Sequence, residues 1–227
     1  MSPSTGARVL LAGASGLVGK QALLQLLADP MVAEVRALVR RALMPADLLG
    51  PNHAAVPGRD KLRICHANFE RLEAHADWFD VDWVFCALGT TIRQAGSQPA
   101  FRQVDFDYPL QMAQLAKAQG ATRFMLVSAL GASARSKVFY SRTKGELEEA
   151  IKAIGFAHVS VARPSFLAGD RAEHRLGEGM ALKLGFLMPA RYKPVRDAQV
   201  AAGLLASARA GRPGWHVLDN IALRRMR

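Results

Sequence analysis

The feature that most constrains the fold of this chain is a glycine-rich turn near its start. Gly13 to Gly19 follow the apolar run Arg8 to Ala12 directly and lead into a helical pattern. Such glycines let the backbone approach a pyrophosphate at a helix N-terminus. The spacing is GxxGxxG rather than the commoner GxGxxG, and alone it would also suit tight helix packing. Its place after a strand favours a dinucleotide-binding turn, with candidate residues Gly13, Ser15, Gly16, Leu17, Val18 and Gly19. A P-loop is rejected, because Lys20 is followed by Gln21 rather than Ser or Thr.

Short apolar runs alternate with helical patterns along the rest of the chain. The predicted strands are Arg8 to Ala12, Val35 to Val39, Leu62 to His66, Trp83 to Leu88, Phe124 to Ser128, His158 to Ala162 and Trp215 to Leu218. The predicted helices are Val18 to Ala28, Tyr108 to Gln119, Ser141 to Ile154, Glu178 to Leu187 and Asp197 to Ala208. Residues 43–61 are predicted as a loop, with or without a short helix. This alternation predicts an α/β fold, a doubly wound parallel sheet in three α/β/α layers of the NAD(P)-binding Rossmann type, with a small C-terminal segment on the substrate side.

Composition limits the other classes of protein. The chain has 227 residues, of which 50% are hydrophobic and 22% charged, so we expect one globular domain over residues 1–227. No apolar run reaches the roughly 18 to 20 residues of a membrane span, and no cleavable signal precedes the first strand, so no membrane partner and a cytoplasmic location are expected. Cys65 and Cys86 fall in predicted strands without neighbouring ligands, which predicts reduced packing residues and no metal site.

The net charge of +11 raises the question of nucleic acid as a partner. Most of the positive residues are spread along the chain, and no aromatic residues interleave with them as a base-stacking platform would require. We therefore expect a solvated basic surface and no nucleic-acid partner.

An arginine pair ends the second predicted strand and bears on cofactor choice. Arg40 and Arg41 stand about 20 residues past the glycine turn, where NAD-specific proteins carry an acidic residue for the ribose 2′-hydroxyl. A guanidinium there would instead pair with a 2′-phosphate, and Lys20 would add to the field. The pair is also compatible with an ordinary exposed strand end, but it favours NADP(H) over NAD(H).

A tyrosine and a lysine in the pattern YxxxK form the candidate catalytic pair. Tyr140 and Lys144 are one helical turn apart and share a face. An ammonium lowers the pKa of a nearby phenol from about 10, which lets a tyrosine exchange a proton with a carbonyl or alcohol oxygen. Ser128 ends the fifth predicted strand, at the carboxyl edge where ligands bind in open α/β sheets. The order of turn, serine and YxxxK is much more specific than any one of them.

Taken together, these residues resemble an atypical or extended short-chain dehydrogenase/reductase. The chain is most similar to the small branch of Tat-interacting oxidoreductase-like and NAD(P)H-binding epimerase-like proteins. The resemblance covers nearly the whole chain. The segments that carry it are Gly13 to Gly19, Cys86 to Thr91, Phe101 to Tyr108, Leu126 to Ser128, Tyr140 to Glu146 and Arg163-Pro164.

The resemblance implies further roles for individual residues. The loop after the fourth strand, with Ala87, Leu88 and Gly89, would pass the adenosine and ribose. Pro164 and Ser165, after the sixth strand, would lie near the nicotinamide carboxamide, and Asn68, after the third strand, would lie near the adenine. Lys144 would also bind the nicotinamide ribose. Asp105 stands where many extended members have Asn, and Ala129 where a second Ser is frequent, so proton relay is less securely implied than hydride geometry.

Three functions are compatible with these residues. The leading hypothesis is an NADPH-dependent oxidoreductase acting on a small-molecule carbonyl or alcohol. The alternatives are a non-enzymatic NADP(H) sensor and, more weakly, a nucleotide-sugar epimerase, because only about 60 residues follow Pro164 where epimerases build a larger substrate lobe. The substrate is not predicted. Met180, Leu184, Phe186 and Leu187 could line an apolar substrate pocket, although such a stripe is more often part of a core. His174 is ambiguous, and a surface position is favoured for it. A homodimer through the helix that carries Tyr140 is the candidate assembly.

Overall fold

Nine strands form two parallel sheets in the part of the chain that a computed structural model describes, residues 6–168 and 189–226. The strands are β1 Ala7–Ala12, β2 Val32–Val39, β3 Leu62–His66, β4 Trp83–Cys86, β5 Arg123–Val127, β6 His158–Arg163, β7 Leu167–Ala168, β8 Val195–Arg196 and β9 Gly214–Asp219. The main sheet has the order β3-β2-β1-β4-β5-β6-β9 with every neighbouring pair parallel, and β7 pairs with β8 separately.

Eight α-helices connect and cover the strands within the described residues. They are α1 Leu17–Ala28, α2 Pro45–Leu49, α3 Ile92–Ala95, α4 Gln98–Arg102, α5 Tyr108–Ala118, α6 Phe139–Ile154, α7 Asp197–Ala210 and α8 Asn220–Arg224. A π-helical turn, Gln103–Asp107, joins α4 to α5, and 3-10 segments lie at His53–Ala55, Arg59–Lys61, Phe69–Phe79 and Ala190–Tyr192.

The sheet is covered on both faces because its strands are apolar on both. In β1, Val9 and Leu11 belong to the core shared with α1 and α7, whereas Leu10 and Ala12 belong to the core shared with α5 and α6. Alternate residues of a strand point to opposite faces, so each core takes every second side chain. The predicted doubly wound parallel sheet of the Rossmann type, in three α/β/α layers, is confirmed.

The strand order places a ligand-binding edge. The order runs from β1 outward to β3 in one direction and from β4 onward in the other, so the chain reverses between β1 and β4. In open α/β sheets, ligands bind at the carboxyl ends of the strands at such a switch point. The glycine turn follows β1 and the Ala87 loop follows β4, so both lie at this point.

Several details differ from the sequence prediction. Strand β4 ends at Cys86, so Ala87 and Leu88 belong to the loop that follows it, and α6 starts at Phe139, two residues before the predicted Ser141. The short helices α3, α4 and α8, the π-helical turn and the β7–β8 pair were not predicted. Some predictions lie outside the described residues: the helix Glu178 to Leu187, its Met180, Leu184, Phe186 and Leu187, and His174.

Candidate functional site

The glycine turn brings two loops into backbone contact. Gly13 has φ +88°, a conformation that L side chains rarely adopt. A Cβ added there would lie 2.5 Å from the Ala87 carbonyl oxygen, so only glycine lets the loops after β1 and β4 approach this closely. Gly16 is the N-cap of α1 and has no side-chain cap, and the first turn of α1 contains no acidic residue. Within the described part of the chain, no side chain caps the first amides of α1, which suits them to an anion.

A cleft of about 740 Å³ opens over this turn. The loops after β1, β2 and β4 and the segment from α3 to the π-helical turn all contribute to its wall. Of the predicted cofactor residues, it is lined by Gly13, Ser15, Gly16, Arg40, Arg41, Ala87, Leu88 and Gly89. Arg40 and Arg41 are exposed at its rim. The cleft therefore combines a backbone floor with a cationic edge.

Two predicted cofactor residues do not line either cleft at the switch point. Gly19 lies beneath the turn, where an added Cβ would be 1.9 Å from the Gly13 carbonyl oxygen. Asn68 caps the 3-10 segment that follows, accepting a hydrogen bond from the Glu70 amide at 3.0 Å, and its neighbour Phe69 lines the large cleft instead. Gly19 thus packs against the turn, and Phe69 rather than Asn68 lines the large cleft.

A smaller cleft of about 270 Å³ continues from the large one. The two share Gly16, Ala87, Leu88, Gly89, Thr90 and Gln94 as lining residues. The predicted residues that line the smaller cleft and not the larger are Leu17, Val18, Ser128, Tyr140, Lys144, Pro164 and Ser165. The fold therefore brings the predicted catalytic residues to one continuous groove with the glycine turn.

Lys144 is held in a buried ion pair. Its Nζ lies 2.7 Å from Asp105 Oδ1, with the two side chains 5% and 0% exposed, and Asp105 Oδ2 accepts a hydrogen bond from the Thr90 amide at 2.9 Å. Burial opposes the charge on Lys144, but the Asp105 carboxylate and then Tyr140 outweigh it, so the pKa of Lys144 is raised. Asp105 reaches this position from the π-helical turn, a type of irregularity frequent at functional sites.

Ser128 contacts a second buried carboxylate. Its Oγ donates to Glu148 Oε1 at 2.5 Å. Arg163 donates to both oxygens of the same carboxylate, from Nε at 3.1 Å and from Nη2 at 2.5 Å. The Glu148 hydrogen bond is the largest influence on the pKa of Arg163, which is raised although burial opposes it. This network was not predicted from the sequence. Its one signal is that Glu148 stands on the buried face of α6 beside Leu147 and Ile151.

Tight packing fixes the helix that carries these residues. A Cβ added at Gly145 would lie 2.1 Å from the Ser133 carbonyl carbon, so the loop after β5 rests directly on the α6 backbone. The Tyr140 ring packs against Phe101 of α4, with ring centroids 5.5 Å apart. These backbone and apolar contacts fix α6, and with it Tyr140, against the loop after β5 and against α4.

The loop after β6 is held by a residue that was also not predicted. Asn220, 1% exposed at the start of α8, accepts a hydrogen bond from the Ser165 amide at 3.0 Å and donates to the Lys193 carbonyl oxygen at 2.8 Å. Ser165 Oγ donates to the same carbonyl at 2.8 Å. This network orients Pro164 and Ser165 at the cleft wall.

The described residues include two buried thiols and no cluster of metal-ligating side chains. Across residues 6–168 and 189–226, no group of three or more His, Cys, Asp or Glu side chains could hold a metal ion. Cys65 and Cys86 are free and buried, and burial raises the pKa of the Cys86 thiol to about 11. No helix within these ranges is long and apolar enough to cross a membrane.

The residues present fit a dinucleotide. The floor lacks side chains at Gly13 and Gly16, so backbone amides can reach a pyrophosphate. The groove then runs without interruption to Tyr140 and Lys144, which is the extended shape that a two-nucleotide cofactor requires.

Comparison with known proteins agrees with this fit. The sequence model of a family described as NAD(P)H-binding matches residues 13–207. Protein HTATIP2 of Rattus norvegicus is 36% identical over 182 residues, which are 80% of this chain and 71% of that protein. The mitochondrial protein fmp52 of Emericella nidulans is 33% identical over 177 residues, 77% of this chain and 73% of the relative.

Solved structures share the fold at low sequence identity. The UDP-N-acetylglucosamine 4-epimerase from Methanobrevibacter ruminantium M1 has a TM-score of 0.69 at 15% identity, covering 95% of this chain and 77% of that one. DesIV, a dTDP-glucose 4,6-dehydratase from Streptomyces venezuelae solved with NAD bound, has a TM-score of 0.70 at 19% identity, covering 92% and 74%. Identities this low show a shared fold alone.

Proposed function

Because the chain belongs to the NAD(P)H-binding family, in its atypical short-chain dehydrogenase/reductase branch, we propose that it is an NADPH-dependent oxidoreductase that interconverts a small carbonyl compound and its alcohol. The observation that carries the proposal is the continuity of the groove, which has a glycine floor at one end and Ser128, Tyr140 and Lys144 at the other. A protein that only senses the cofactor has no evident use for a phenol beside a buried ammonium.

The chain's own residues would divide the work in the following way. The bound cofactor would supply the hydride. Tyr140 would donate the proton to the carbonyl oxygen as the alcohol forms, with Lys144 beside it as the cation that favours the phenolate left behind. The buried Asp105 keeps Lys144 charged and fixes its Nζ. Ser128, directly after β5, would orient the oxygen of the carbonyl–alcohol pair.

The preference for NADPH over NADH belongs to the same proposal. It is supported by the position of Arg40 and Arg41 at the rim of the large cleft, directly after β2. A 2′-phosphate there would gain charge-assisted hydrogen bonds that a 2′-hydroxyl cannot form. A cytoplasmic location also stays a prediction, since the fmp52 relatives are labelled mitochondrial.

The test is a cofactor titration followed by a panel of carbonyl compounds. NADPH and NADH binding would be followed by cofactor fluorescence, and turnover by NADPH absorbance. We expect Tyr140→Phe to lower turnover at least about 100-fold, because general acid–base catalysis contributes that much, while NADPH affinity stays nearly unchanged. Ser141→Ala, the next residue on α6, is the matched control and should retain turnover.

Two outcomes would overturn the proposal in different ways. If NADPH binds but wild-type protein turns over no compound of the panel, the oxidoreductase proposal fails in favour of a cofactor sensor. If UDP-sugars are converted with no net change in NADPH absorbance, it fails in favour of an epimerase.

A further inference from the structure

The direction of the Ser128 hydroxyl proton carries a consequence for the substrate. A serine hydroxyl has one proton to donate and two lone pairs to accept with. In this protein the proton is directed to Glu148 Oε1 at 2.5 Å, inside the protein, where Ser128 is 5% and Glu148 4% exposed. The side of Oγ that faces the cleft therefore presents lone pairs.

Arg163 keeps Glu148 an acceptor. Both oxygens of the Glu148 carboxylate accept hydrogen bonds from the Arg163 guanidinium, and a carboxylate that accepts at both oxygens is also the acceptor for Ser128. If Ser128 turned its proton toward the cleft, Glu148 Oε1 would lose a hydrogen bond in a buried place, which is costly for a charged group. The Ser128 proton is thus tied to the interior.

We infer that the Glu148–Arg163 ion pair is a positioning pair, which holds the Ser128 hydroxyl so that it offers the substrate a hydrogen-bond acceptor. This inference deepens the proposed function and, for its consequence on substrate, rests on it. Ser128 accepts from a hydroxyl, and so it matches the alcohol member of a carbonyl–alcohol pair. The carbonyl member finds its donor in Tyr140 rather than in Ser128.

The arrangement is separate from the Lys144–Asp105 pair. Asp105 belongs to the π-helical turn and faces Lys144 from the side of α5, whereas Arg163 ends β6 and meets Glu148 one turn further along α6. Arg163 and Glu148 also line a second cavity of about 450 Å³, together with Ser133, Gly145 and Trp215, and neither lines the substrate cleft. Among the described residues, Ser128 is the cleft residue to which this pair is hydrogen-bonded.

A thiol placed at residue 128 reports on this contact without any turnover. In Ser128→Cys, the thiol replaces the hydroxyl beside Glu148, and a neighbouring carboxylate disfavours a thiolate. The rate at which iodoacetamide alkylates this introduced thiol would be measured against pH by peptide mass spectrometry, which separates it from Cys65 and Cys86. Adding Glu148→Gln should move the midpoint of that profile down by about one pH unit or more.

The control variant changes the same charge at the next residue. Glu149 is exposed, whereas the Ser128 hydroxyl donates to Glu148, so Glu149→Gln in the Ser128→Cys protein should leave the midpoint in place. Tyr140 and Lys144, which face residue 128 from the cleft, are unchanged in every variant. Equal midpoints for the Glu148→Gln and Glu149→Gln proteins would overturn the inference.

A second measurement keeps the test decisive if the cysteine variant does not fold. Thermal unfolding would be compared for Ser128→Ala, Glu148→Gln and the double variant. Because one hydrogen bond joins the two residues, we expect the double variant to unfold no lower than the less stable single variant. Additive decreases would overturn the inference.

A third measurement separates the inference from the proposed function. For any carbonyl–alcohol pair that the wild type turns over, Glu148→Gln should lower the ratio of alcohol affinity to carbonyl affinity at least about threefold, because an amide at residue 148 can donate to Ser128 and release its proton toward the cleft. A shifted thiol profile with no turnover would defeat only the proposed function. Turnover with an unshifted profile would defeat only this inference.

Discussion

The two ends of the groove differ in the chemical groups that line them. At the glycine end, which comprises Gly13 to Gly16 with Arg40 and Arg41, the surface is bare backbone and exposed guanidinium groups. At the tyrosine end, which comprises Ser128, Tyr140 and Lys144, each polar group except the phenol is tied to a buried carboxylate. An exposed charge costs little to keep or remove, whereas a buried one is expensive when its partner is lost. Substitutions at the glycine end should therefore change cofactor affinity, whereas substitutions at the tyrosine end should change both catalysis and stability.

The largest expected effect is at the tyrosine end. Lys144→Met leaves the Asp105 carboxylate, whose side chain is 0% exposed, without its cation. Breaking a buried ion pair in this way costs about 3–5 kcal/mol of unfolding free energy. Denaturant unfolding would measure the loss. The double variant Asp105→Leu with Lys144→Met should lose much less, because neither charge is left alone. If Lys144→Met is as stable as the wild type, the buried ion pair does not make the tyrosine end more sensitive than the glycine end.

The next effect tests the backbone of the glycine end. Gly13→Ala brings a Cβ within 2.5 Å of the Ala87 carbonyl oxygen in addition to the strain of a positive φ. Gly120→Ala is the matched control, with φ +95° and no atom within 4 Å of the added Cβ. We expect Gly13→Ala to lose about 1–3 kcal/mol of unfolding free energy beyond the control, by overpacking, and to lose NADPH binding as well. Equal losses would mean that the contact between the loops has no energetic importance.

A smaller effect is expected from the exposed charges of the glycine end. Arg40→Ala should weaken NADPH binding about tenfold, since a charge-assisted hydrogen bond contributes about 1.5 kcal/mol, and should leave NADH binding and stability nearly unchanged. Arg224→Ala, an exposed arginine of α8, is the control for net charge. Fluorescence titration with both cofactors checks this. Equal weakening of NADPH and NADH would remove the case for NADP.

The smallest effect is a dependence of stability on alkaline pH. The pKa of Lys144 is raised in the folded protein. Its contribution is therefore complete below the unfolded value of about 10.4 and is lost as pH rises through the higher folded value. The difference in unfolding free energy between the wild type and the Asp105→Leu, Lys144→Met variant should be constant from about pH 7 to 9 and shift by less than about 1 kcal/mol at pH 10.5. A difference that changes between pH 7 and 9 would contradict the raised pKa.

The sequence predicts the fold well because the main sheet relies on local signals. Apolar runs buried on both faces and helices closed by glycine, such as Gly155 after α6, are visible in the order of residues alone. The short helices α3 and α4 have no apolar periodicity long enough to detect. Strand β7 has two residues, and its pairing with β8 depends on contacts between segments far apart in the sequence.

In the candidate site too, residues in local motifs are predictable from the sequence and their distant partners are not. Tyr140, Lys144 and the glycine turn stand in compact motifs, so spacing alone points to them. The partners of these residues do not. Asp105 and Lys144 are 39 residues apart, and Glu148 and Arg163 are 15 apart on different elements, so only the packed structure shows them as pairs. A carboxylate beside apolar positions of a helix, as Glu148 stands beside Leu147 and Ile151, is the sequence signal for this pair.

The π-helical turn Gln103–Asp107 sets the rotation of α4 relative to α5 about their common axis. Such a turn is equivalent to one residue inserted into a continuous α-helix, and one residue corresponds to a rotation of about 100° about the axis. Removing one residue from the turn would make the helix regular and rotate α4 relative to α5. Asp105 would then no longer face Lys144. The inserted residue thus sets the rotation at which Asp105 meets Lys144, separately from the face with which α5 packs into the core.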